Sequence, residues 1–140
     1  MKTKFTAVVK LRKKKVDDLE NSLFKMDAMI NKAKEQLAQN QEKYHAMHSP
    51  EGGHFSALLA FEDLKKAFRY EIKGIKDSIA AMINQRNMLL GQFKEANAEY
   101  EKMKYLENEE IKKIMKAKAV KESKELDEIG VMLFNNRSMV

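Results

Sequence analysis

The sequence predicts an all-α protein: an antiparallel two-helix coiled-coil hairpin whose longer second helix overhangs the first at the C-terminal end. Three observations lead there. The 140 residues are 34% charged, hold one proline and no tryptophan, and are rich in Ala, Leu, Glu and Lys, the composition of long helices and not of a compact globule. Apolar residues recur at alternating steps of four and three, the 3.5-residue period of a left-handed coiled coil. The only proline and two of the five glycines fall together in Ser49-Pro50-Glu51-Gly52-Gly53, the one place where helix is strongly disfavoured and the chain can reverse. The whole chain, 1–140, reads as a single coiled-coil domain.

Helix one is expected over about residues 3–48, with Thr3 as a plausible N-cap. Its seam runs Phe5, Val9, Val16, Leu19, Leu23, Met26, Ile30, Ala33, Leu37, Tyr44 and Met47, with Arg12 and Asn40 filling the two gaps. The turn occupies about 49–54. Helix two, about 55–130, repeats the pattern at Leu58, Phe61, Lys65, Phe68, Ile72, Ile75, Ile79, Met82, Arg86, Leu89, Phe93, Ala96, Tyr100 and Met103. Beyond 103 the same register meets Glu107, Glu110, Lys121 and Lys124, so the seam fades. Strong helix formers nevertheless continue to Gly130, which sits where a glycine cap belongs.

Folding one seam onto the other with facing positions adding to 105 matches their extents: Met47 meets Leu58, Tyr44 meets Phe61, Ile30 meets Ile75, Val16 meets Leu89, and Phe5 meets Tyr100. Asn40 then faces Lys65, two polar residues in one layer, which is how a register-fixing pair looks. Arg12 and Arg86 lie opposite Phe93 and Leu19, with their stems buried and their guanidinium groups directed outward. A heptad shift one way crowds the turn. The other way needs a loop of about 17 residues, longer than helix hairpins normally use.

In that register residues 104–130 have no partner within the chain, yet they carry Tyr105, Leu106, Ile111, Ile114, Met115, Val120, Leu126 and Ile129, followed by Val131-Met132-Leu133-Phe134. So much exposed apolar surface calls for another protein, either a different one or a second copy of this chain. Off the seam, Ile83, Leu90, Phe24 and Leu11 are further contact candidates, while Gly74 and Gly91 fall on the outer face.

Several function classes are disfavoured. There is no cysteine, hence no disulfide or thiolate metal site. No apolar run is long enough for a signal peptide or a bilayer span, so the reading is a soluble cytoplasmic protein. Nucleophile elbow, phosphate loop and zinc signatures are missing, and a two-helix architecture offers no pocket to shift a carboxylate's pKa; the expectation is no enzyme and no cofactor. His45, His48 and His54 cluster with Glu51 at the turn; a shared metal ion is one use, a solvated polar tip the plainer one.

The net charge of +6 is local, because residues 1–15 hold seven Lys or Arg and no acid. The tip Lys10-Leu11-Arg12-Lys13-Lys14-Lys15 suits nucleic acid, an anionic membrane or an acidic protein, or is simply a solvated face. No aromatic interleaves with it, so base stacking is not suggested.

The segment Lys4-Phe5-Thr6-Ala7-Val8-Val9-Lys10-Leu11-Arg12-Lys13-Lys14-Lys15-Val16-Asp17-Asp18-Leu19-Glu20, a coiled coil broken near residue 50, and the run Lys121-Glu122-Ser123-Lys124-Glu125-Leu126-Asp127-Glu128 together resemble the FliJ family, the small soluble component of the flagellar type III export apparatus. The resemblance covers nearly the whole chain. It implies a non-catalytic part of flagellum biogenesis and motility, similar to the stalk of rotary ATPases. Its partners would be the flagellar export ATPase hexamer, the cytoplasmic domain of the export gate and export chaperones, with no nucleic acid. It would lie in the cytoplasm, peripheral at the inner face of the cell membrane through the export apparatus. By analogy with a stalk, the end holding both termini would enter the ATPase ring. That end offers Lys10, Arg12, Lys13, Leu106, Ile111, Ile114, Met115, Glu125, Leu126, Asp127, Glu128 and Ile129. The alternatives are a generic structural or rotary-ATPase stalk coiled coil, and a binder of nucleic acid or membrane surface through the basic tip.

Overall fold

A computed structural model describes residues 1–138. Two α-helices, α1 (Thr6–His45) and α2 (Phe55–Ser138), pack as an antiparallel helical hairpin with no strand among the described residues. No helix among them is long and apolar enough to cross a membrane.

Local chemistry sets the ends. Thr3 builds the entry to α1: its hydroxyl accepts from the Phe5 N–H at 3.1 Å, while its own N–H donates to the Thr6 hydroxyl at 2.8 Å. At the other end the helix stops at His45, where Pro50 forbids continuation because its ring would clash with the carbonyl four residues back and it has no N–H to donate. The connection over 46–54 turns through Gly52 and Gly53 at φ of +84° and +113°, conformations open to glycine and strained for side-chain-bearing residues. Helix α2 runs through Gly130 to Ser138, so the glycine stop expected there is not used. A helix interior tolerates one glycine at about 1 kcal/mol, and Gly130 does not take the positive φ that a glycine cap requires.

The chain forms two compact units, one from Asp17–Glu95 and one from Met1–Val16 with the chain from Ala96 onward. In the first, Met26, Ile30, Ile72 and Ile79 form the buried core. Two contacts fix how its helices align: Arg86 Nε donates to Asp27 Oδ1, and Arg69 donates to the Tyr44 hydroxyl at 3.2 Å. In the terminal unit Val16 and Ala96 are buried, and Lys13 Nζ stands 5.4 Å over the Tyr100 ring.

Facing residues in both units therefore add to about 112, one heptad away from the expected 105. Most seam residues are those read from the sequence, each meeting a partner seven positions further along α2, but Leu58 is left outside the seam and Glu107 enters it. Asn40 comes level with Ile72 and does not face Lys65, whose ammonium instead lies over the Tyr44 and Phe61 rings at 5.6 and 5.8 Å. Arg86 does not point outward beside Leu19, because it is held by Asp27. The register set aside for its loop of about 17 residues is the one adopted, yet the non-helical connection is only 46–54, because α2 begins at Phe55, before it meets α1. This register moves Lys65 from mid-seam to the open end and gives Arg86 a carboxylate. Consequently the first turns of α2 extend beyond α1, leaving Phe55, Leu58, Leu59 and Leu64 exposed.

Candidate functional site

The terminal unit holds most of the residues nominated for partner binding. Its α1 portion carries the basic tip. Lys10 is exposed, Lys13 leans on Tyr100, and Arg12 is half-buried at the level of Tyr100 with its Nε lacking a hydrogen-bond partner. Glu107, level with Phe5, likewise buries an unsatisfied carboxylate oxygen. Both are polar residues on seam positions, where the packing of the two helices shuts these atoms off from water.

Residues 1–5 precede α1 as a non-helical arm. Extended chain advances about 3.3 Å per residue against 1.5 Å in a helix, so the arm reaches further along α2 than a helical continuation would. Met1 comes to rest beside Met115, Lys118, Ala119 and Glu122. Leu106, Glu107, Glu110 and Ile111 are half-buried in this unit, so the uncovered stretch begins near 112 and not at 104.

From 112 to 137 every residue of α2 is exposed, including Ile114 (36%), Met115 (57%), Leu126 (68%), Ile129 (53%) and Phe134 (71%). Charge here is banded. Lys112, Lys113, Lys116, Lys118 and Lys121 come first without an intervening acid, then Glu122, Glu125, Asp127 and Glu128 with Lys124 among them, then apolar Ile129 to Phe134 broken only by Gly130. Lys113, Lys116, Lys121 and Lys124 line a shallow groove floored by Ala117 and Val120, a face that sequence reading had not singled out. Lys112 is held by Glu109 at 3.3 Å. Glu125, Asp127 and Glu128 are exposed, and the last two flank Val131 and Met132 in a second shallow groove.

In the other unit an open groove between the helices is bordered by Gln41, Tyr44, His45, Arg69, Lys73 and Lys76. The hydrogen bond to Tyr44 raises the Arg69 pKa further, leaving the guanidinium charged at every accessible pH. His45, His48 and His54 are all exposed, and no group of three or more His, Asp or Glu among the described residues is arranged to hold a metal ion. Phe24 and Leu11 are exposed as well, at 77% and 67%.

The uncovered helix presents cations, anions and apolar groups in sequence, a pattern able to meet a complementary surface. Compared with known families, residues 1–139 match the family model of the flagellar FliJ protein. Neither the curated proteins nor the solved structures yield a match.

Proposed function

Because the chain belongs to the flagellar FliJ family, whose members are components of the flagellar export apparatus, we propose that it acts without catalysis as a stalk-like partner of the export ATPase ring and as an escort of export chaperones to the cytoplasmic domain of the export gate. The observation that carries this reading is the bare stretch 112–137, whose large apolar groups stand in water in the same unit as the basic tip. An isolated helix gains little from its own propensity, so a helix this apolar and this exposed is built to be covered. Lys10 and Lys13 with Ile114, Met115, Leu126 and Ile129 would form the ring contact. Arg12, Leu106 and Ile111 support it from beneath, and Glu125, Asp127 and Glu128 meet cations of the ring interior. Any residence at the inner face of the cell membrane would come through these partners.

The test is turnover and ring assembly of the cognate export ATPase with the intact chain, with a chain ending at Ile111, and with Ile114→Asp/Ile129→Asp. Stimulation by the intact chain alone supports the reading. Equal stimulation by all three removes the bare stretch from it, and no stimulation by any removes the ATPase.

A further inference from the structure

In the terminal unit, α1 packs on the face of α2 that carries Ala96, Tyr100, Met103 and Glu107. At 100° per residue that face continues past the start of α1 as Ile114, Lys118, Lys121, Glu125, Glu128 and Met132, in steps of four and three. All six are exposed. Among the described residues none of these four charges has an ion-pair partner. Ile114 and Met132 are eighteen residues apart, five whole turns, so an apolar group ends the strip at either side and the charges between them change sign at its middle.

Such a strip is complementary to itself when reversed. We propose that two copies of this chain pair antiparallel along it, about a two-fold axis near Ser123. Ile114 of each copy packs on Met132 of the other, Lys118 meets Glu128, and Lys121 meets Glu125, each contact occurring twice as an isologous interface requires. A parallel pair would set lysine on lysine and glutamate on glutamate. A bilayer is a poor occupant, because the two glutamates on this face would be desolvated and repelled by anionic lipid. The second copy occupies the path along α2 that α1 leaves vacant, next to the arm whose Met1 borders Lys118 of the strip as well as Met115 and Glu122.

The inference does not rest on the ring-docking reading. If both hold, self-pairing and ring docking compete for one face.

Sedimentation of the full chain from about 10 µM to about 1 mM at low salt should show a monomer–dimer equilibrium that weakens as salt is raised. Lys118→Glu/Lys121→Glu and Glu125→Lys/Glu128→Lys should each lose at least about tenfold in affinity alone, and a mixture of the two should recover it. The chain has no cysteine, which permits a geometric arm: Ile114→Cys mixed with Met132→Cys should give cross-linked dimers under mild oxidation, and neither alone. Helicity by circular dichroism confirms that each variant is folded. A wild-type chain that stays monomeric across this range overturns the proposal. So does self-cross-linking of Ile114→Cys alone, which would mean a parallel pair. None of these readouts involves the ATPase, so either idea fails without the other.

Discussion

Two stretches of α2 share composition and helix but differ in what covers them. Between 67 and 95 the helix has α1 along its seam, and Ile72 and Ile79 are buried there. Between 112 and 137 no second helix of its unit runs along it, and Ile114, Leu126 and Ile129 stand in water. Helix propensity is similar in the two, so the difference shows which property each force supplies. Propensity makes the helix continuous, and only packing makes part of it stable. A stretch held by propensity alone is marginal in water and available to a partner.

The sharpest way to break this comparison is its register. Ala33→Cys with Ile79→Cys should form an intramolecular disulfide almost completely, whereas Ala33→Cys with Ile72→Cys should not, as read by mobility under non-reducing conditions. The reverse result would restore the 105 register and return Leu58 to the seam. Next in size is hydrogen exchange. Amides at 70–95 should exchange at least about a hundredfold more slowly than those at 112–137, by mass spectrometry on dilute monomer. Ile30→Ala, in the core, should cost about 2–4 kcal/mol in denaturant unfolding, while Leu126→Ala should stay within about 0.5 kcal/mol. Comparable losses would mean that the distal helix is packed after all. Gly53→Ala should lose about 1–3 kcal/mol through backbone strain alone, since nothing lies near enough to clash with a methyl group. Smallest, Asp27→Ala should cost about 1 kcal/mol or less, because the pair it forms with Arg86 is partly solvated and screened.

Much of the candidate site was visible in the residues. Ile114, Met115, Leu126 and Ile129 lie past the end of the matched seams and are large and apolar, and they are exposed as the pattern implied. Leu106 and Ile111 looked the same but are half-covered, because the seven-residue shift in register brings the start of the chain level with 105–111. Asp27 gave no signal, since an acid beside a seam is ordinary in a coiled coil. It becomes informative only once Arg86 is known to lie one residue from its facing position. The lysine groove at 113–124 was hidden for the opposite reason: an even count of acids and bases over 104–128 concealed that they are segregated into bands.

By itself the sequence determined two long helices, most residues of both seams and the place of reversal. Each of these depends on local preferences: period, helix propensity, and the exclusion of Pro50 and its glycines from a helix. Axial register was decided by tertiary structure, because a heptad pattern slid by seven residues looks the same to itself. Loop length is a weak arbiter between such registers. What separated them was where the few polar seam residues came to rest, with Arg86 against Asp27 and Lys65 at the open end. That choice in turn set how much of α2 is left bare for a partner.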